Sequence, residues 1–160
     1  MPLALDITGI PKAQARARAW SNRWGITRVY LPPNDWRCCI MGAMLAARAK
    51  GIGQIAEPVE LRLTFRMPRT KRLARLSKNP RPEPPCVGRE DLDNLIKATL
   101  DEITPTGRAN PRWGLLRNDN LVVRLVAEKR YARLDEQPGC LVEIEPIYLA
   151  PAAPMDIEPE

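Results

Sequence analysis

Arg89-Glu90-Asp91-Leu92-Asp93-Asn94-Leu95-Ile96-Lys97 is the stretch on which the reading of this chain turns, with Ala98-Thr99-Leu100-Asp101-Glu102-Ile103 continuing it. Leu92, Leu95, Ile96, Leu100 and Ile103 recur at helical spacing and predict an amphipathic helix with one buried stripe. Asp93, Lys97 and Asp101 fall on another face, at i, i+4 and i+8. The entrance of this helix holds two carboxylates, Asp91 and Asp93. A chain turning from loop into helix there can aim both the same way. Thr104-Pro105-Thr106-Gly107 ends the helix.

Upstream, Val59-Glu60-Leu61-Arg62-Leu63-Thr64-Phe65-Arg66-Met67 alternates with period two. It predicts a strand with Val59, Leu61, Leu63, Phe65 and Met67 inward and Arg62 and Arg66 outward. Between strand and helix, residues 68–88 dissolve into Lys, Arg and Pro. Arg69, Lys71, Arg72, Arg75, Lys78 and Arg81 are opposed only by Glu83, so a flexible basic loop is expected. Ala4–Ile10 reads as a first strand closed by Gly9-Ile10-Pro11, and Ile26–Leu31 as a second, stopped by Pro32-Pro33. Asn34 or Asp35 can cap a helix running to Lys50, with Gly51 as its stop. Cys39, Ile40, Ala43, Met44 and Ala47 are its apolar stripe. Downstream, Leu121–Glu128 and Leu141–Glu145 read as two more strands, joined as a hairpin through Gln137-Pro138-Gly139. The expected fold is α+β, a small mixed sheet with two main helices in a single domain over residues 1–149. The Pro- and acid-rich residues 150–160 are expected to form a disordered tail.

A chain of 160 residues with 44% hydrophobic residues suits one core. Its 25 Lys+Arg against 19 Asp+Glu, net +6, favour an anionic partner. Nucleic acid fits better than a membrane, because the chain has no long apolar run and no basic amphipathic helix. Met1-Pro2-Leu3 opens no secretory signal, which predicts a cytoplasmic protein. Cys38, Cys39, Cys86 and Cys140 show no C-x-x-C spacing and read as reduced, mostly buried thiols. The chain has no histidine. Ser-His-Asp and Cys-His catalysis are excluded, as is any mechanism with a histidine base. Chemistry must rest on carboxylates, lysines or a metal-bound water.

A third acid, Asp119, follows in Arg117-Asn118-Asp119-Asn120 at the start of the next strand. Clustered carboxylates in a basic chain point to a hard-metal site beside a polyanion, the chemistry of a nuclease. The plain alternative is that the aspartates cap the helix or complement its dipole, worth ~0.5–2 kcal/mol. Asp93–Lys97 could equally be a helical ion pair worth roughly 0.3–0.5 kcal/mol. No lysine has an acid two residues before it, which argues against a restriction-type D…(D/E)-x-K nuclease. A basic nucleic-acid-binding module without chemistry is the competing reading, and a divalent-metal requirement separates the two.

Taken together, Asp91-Leu92-Asp93-Asn94-Leu95, Lys97-Ala98, Leu100-Asp101 and the later Asn118-Asp119-Asn120-Leu121-Val122 resemble the RusA family of Holliday junction resolvases of bacteria and their phages. Gly9-Ile10-Pro11-Lys12 with Arg16 and Arg18 is similar to that family's basic opening. The resemblance implies that Asp91, Asp93 and Asp119 hold Mg²⁺ and that Lys97 is the catalytic lysine. The family's second block usually carries two adjacent acids, and here the first is Asn118. Lys12, Arg16, Arg18, Arg69, Lys71, Arg72 and Arg89 would hold the backbone of branched DNA, a four-way junction, without reading bases. The resemblance also implies a homodimer, since two opposing strands must be cut and the chain has one set of acids. The Trp20–Trp24 segment and the first helix are the expected interface.

Overall fold

The alternating run becomes strand β4 (Val59–Met67), and burial follows the alternation. Val59, Leu61, Leu63 and Phe65 are no more than 1% exposed, whereas Arg62 opens to solvent. Arg66 also lies on the outward face, as expected, where its pairing with Asp6 leaves it half-buried. The computed structural model describes residues 2–14, 18–30, 34–88, 90–104 and 114–147. The expected tail 150–160 lies outside them.

Around β4 a mixed four-stranded sheet assembles from β1 (Leu3–Thr8), β5 (Val122–Tyr131) and β6 (Gly139–Pro146), in the order β1-β6-β4-β5. β6 runs antiparallel to both β1 and β4, while β5 runs parallel to β4. The expected hairpin between the last two strands is therefore corrected, because β4 stands between β5 and β6. A parallel pair needs a crossover, and residues 68–121 supply it. Gly139 sits where β6 meets β1; a Cβ there would collide with the carbonyl of Ile7.

The two expected helices are present. Helix α1 (Asp35–Ala49) starts at Asn34, whose side chain accepts from the Trp36 amide at 3.1 Å. It buries Trp36, Ile40, Met44 and Ala47, with Cys39 and Ala43 partly covered. Helix α3 (Leu92–Ile103) buries Leu95, Ala98, Thr99 and Ile103. Both helices pack on one face of the sheet and on each other, closing a single core with Ile7, Cys140, Val142 and Ile144. A short β2 (Arg18–Ser21) pairs with β3 (Thr27–Tyr30) in a separate ribbon. Its first strand was not anticipated.

Residues 68–88 are not the structureless loop expected. They contain a helical turn, α2 (Lys71–Ala74), capped by Thr70. They also pack on the β5–β6 connection through Arg133–Glu83 at 3.1 Å and Leu134 N to Asn79 Oδ1 at 3.0 Å. The cysteines also depart from expectation: all four are free thiols, but only Cys140 is fully buried. Burial pushes its pKa up to about 12.

Candidate active site

Helix α3 begins where the crossover passes the far end of β5. Glu90, the residue before the acids, is held twice. Its Oε2 accepts from the Ala13 amide at 2.9 Å, and its carbonyl accepts from Lys129 Nζ on β5. The basic N-terminal arm and the sheet are thus tied to the helix entrance. Asp91 takes the N-cap position, yet its side chain makes no capping hydrogen bond. Asp93 follows in the first turn and is exposed. The carboxylates of Asp91, Asp93 and Asp119 and the ammonium of Lys97 have no salt bridge or hydrogen bond among the described residues. The Asp93–Lys97 ion pair of the plain reading does not form.

Asp119 lies elsewhere. It opens a 3-10 turn (Asp119–Leu121) that feeds β5, and the Asn118 side chain accepts from Asn120 N at 3.3 Å. That bond gives Asn118 a capping role. The run leading to Asp119 is anchored on the other end of α3, through Leu115 N and Leu116 N to the Ile103 carbonyl at 2.8 and 3.1 Å. Arg48 clamps it by donating to the Gly114 carbonyl at 2.6 Å. Asp91 and Asp93 therefore sit near Lys129 at one end of β5, and Asp119 precedes Val122 at the other. At ~3.3 Å per residue the two parts are about 20 Å apart along the strand. One chain brings Asp91, Asp93 and Lys97 to one helix start and does not bring Asp119 to them.

The donors suit a hard divalent cation. They are unpartnered carboxylate oxygens, and such an ion needs only one or two of them, keeping waters that phosphate oxygens can replace. No group of three or more His, Cys, Asp or Glu among the described residues stands ready to enclose one.

Beside the helix entrance a cleft of about 300 Å³ is lined by Pro11, Lys12, Met67, Cys86, Lys129 and Tyr131, among others. Burial raises the Cys86 thiol pKa, against the charge of Lys129. Lys12, Lys71 and Arg72 are exposed. Arg69 is not: its guanidinium donates to the Leu73 carbonyl at 2.7 Å, to Asn79 Oδ1 at 3.1 Å and to the Ala132 carbonyl at 3.4 Å. It braces the α2 segment. Arg16, Arg89 and the side chain of Arg18 lie outside the described residues. The β2–β3 ribbon exposes Trp20 and Trp24 at 58% and 72%, with the Arg23 guanidinium 4.8 Å from the Trp24 ring centre. Sequence reading missed Glu90 and Lys129. The only signal was a lysine at an inward position of β5, level with Phe65.

No helix of the described residues is long and apolar enough to cross a membrane. None of the curated proteins compared with the chain matches it. The model of the endodeoxyribonuclease RusA family matches residues 8–145, a span running from the end of β1 through nearly all of β6 and carrying both acid-bearing blocks. A nuclease built on carboxylates, with no histidine and an excess of positive charge to meet DNA, is what these side chains are suited to form, and the chain belongs to the RusA family of endodeoxyribonucleases.

Proposed function

We propose that this protein is a magnesium-dependent Holliday junction resolvase, acting as a homodimer in the cytoplasm in DNA recombination and repair. The observation that carries the reading is the start of α3, where Asp91, Asp93 and Lys97 present charged groups that no described neighbour engages. Unpartnered carboxylates at a helix entrance, in a chain of net charge +6, serve a ligand better than they serve the fold.

Asp91, Asp93 and Asp119 would hold the metal. When bound, Mg²⁺ polarises the phosphoryl oxygens and lowers the pKa of a water. Lys97, one turn along α3 from Asp93, supplies a point charge for the pentacoordinate phosphate. Lys12, Lys71 and Arg72, together with Arg16, Arg18 and Arg89, hold the DNA backbone through phosphate contacts. These set position without reading sequence. Arg69 contributes by keeping Lys71 and Arg72 in place. Trp20 and Trp24, flanked by Arg23 and Arg28, offer stacking surface for bases exposed at a branch point.

A synthetic four-way junction tests the reading. The purified protein is expected to cut paired opposing strands with Mg²⁺ and not in EDTA. Asp91→Asn, Asp93→Asn and Asp119→Asn should each lose on the order of a thousandfold in cleavage, equivalent to several kcal/mol of transition-state stabilisation, while still binding the junction. Cutting by Asp93→Asn at the parent rate would sink the site. Tight junction binding by the parent without cleavage under any divalent cation would leave a binding module.

A further inference from the structure

The start of α3 borders the cleft described above, and Glu90, the residue before Asp91, is part of its wall. We propose that this cleft seats a single base drawn out of its stack at the DNA branch, so that the nucleotide beside the cut is held by its ring as well as by its phosphate. The inference rests on the proposed reading of the acids for which phosphate is cut, and on the cleft itself for the occupant.

The cleft exists because the sheet outruns the helix. Met67, Lys129 and Tyr131 occupy the last inward positions of β4 and β5, on the face that carries the helices. Residues 10–12 and 86–88 complete the walls there in place of a helix. Two of the lining side chains, Ile10 and Val87, are 52% and 84% exposed. Large apolar groups left in water at one cleft have a use if a flat apolar surface slides against them. About 300 Å³ is at the lower end of the range for small-molecule sites. That is the scale of one nucleoside and too small for a base pair.

Charge identifies the occupant. Lys12 and Lys129 both line the cleft. Lys129 uses one of its three donors on the Glu90 carbonyl, which leaves two for a ligand. An apolar peptide side chain entering here would strip water from both ammonium groups and return nothing. A nucleotide brings a ring for Tyr131 and the apolar walls, and a phosphate for the lysines. Distance identifies which nucleotide. Asp91 follows Glu90 directly, and consecutive Cα atoms are about 3.8 Å apart. Successive nucleotides of one strand rise by about 3.4 Å. The base in the cleft therefore adjoins the phosphate that the acids address. Every base has a ring face, so the grip does not depend on which base it is. It depends on a base being free to leave its stack, which costs least where pairing is interrupted. A branch point meets that condition and a continuous duplex does not.

Abasic sites test the seat. They are placed one at a time across the branch of a synthetic four-way junction, and binding is measured in EDTA so that it is read without cutting. One position should weaken binding by the parent about tenfold, the loss of one stacked base. Ile10→Ser with Val87→Ser removes the apolar contacts. Both side chains are more than half exposed, so the fold should stand. This double variant should bind the intact junction several-fold more weakly than the parent. It should bind the junction that is abasic at the sensitive position as well as the parent does, because the group it no longer contacts is gone. That equality also shows the variant to be folded. A loss of the same size on intact and abasic junctions overturns the seat, as does a scan in which no position weakens binding beyond about twofold. A parent with one sensitive position, matched by the double variant, that cuts nothing with Mg²⁺ keeps the seat and loses the nuclease reading. A parent that cuts with Mg²⁺ but has no sensitive position loses only the seat.

Discussion

Helices α1 and α3 begin with the same kind of residue and use it differently. At α1 the Asn34 side chain accepts from the Trp36 amide and also donates to the Ala13 carbonyl at 3.2 Å, so both ends of its amide are engaged. At α3 the equivalent residue, Asp91, leaves its carboxylate unbonded, although its backbone carbonyl accepts from Leu95 N at 3.1 Å. A side chain that caps its helix contributes to the fold. One that occupies the cap position without capping is available to something outside the chain. Glu136 extends the contrast to carboxylates. Hydrogen bonds from Arg130, reinforced by the Arg133 amide, hold it at a pKa of about 2.

The sharpest way to break this comparison is Lys97→Ala. If the group stands free for catalysis, cleavage should fall on the order of a hundredfold, as for loss of one stabilising donor. The thermal midpoint should hardly move, because alanine is at home on an exposed helix face. Unchanged activity with a lowered midpoint would make Lys97 a structural residue.

Glu136→Gln probes the engaged side of the contrast. The folded pKa of Glu136 lies below its ordinary value of 4.5. Its contribution is therefore complete above about pH 4.5 and is lost as pH falls toward 2. The variant should be less stable than the parent at pH 7, and the difference should shrink over that window in acid denaturation followed by circular dichroism. A constant difference down to pH 2 would refute the assignment. Junction cleavage should not change.

Smallest, and most direct, is the pair of helix starts. Asn34→Ala should cost about 1 kcal/mol in urea unfolding, the usual loss of a cap. Asp91→Ala should stay within about 0.5 kcal/mol, as for a surface substitution away from such a bond. Equal costs would mean that the carboxylate of Asp91 caps after all.

What could be read from the sequence divides along the same line. β4 was legible because its alternation reports a local property, one buried face. α1 and α3 were legible from spacing and caps. The pairing of strands was not. Neighbours in sequence suggested a β5–β6 hairpin, but nothing local announces that residues 59–67 will stand between them. Arg69, counted among the DNA contacts, could not be told from Lys71 or Arg72 without the Leu73, Asn79 and Ala132 oxygens around it. The acids were visible one by one as residue types at a helix entrance and a strand start. Their arrangement at opposite ends of β5 depends on the direction of a parallel crossover, which no short window of residues contains.

The order β1-β6-β4-β5 also bears on how the protein comes into being. The strand that joins the two halves of the sheet, Gly139–Pro146, is the last of the described elements to be synthesised. A nascent chain that has reached Tyr131 already carries Asp91, Asp93, Lys97 and Asp119, but β1 and β4 have nothing between them. Pairings such as Leu3 with Ile144 span almost the whole sequence, and contacts of that separation close late and slowly. A chain cut short before β6 would hold all four residues of the proposed site and no frame to aim them, so that on this reading activity arrives only with the finished fold.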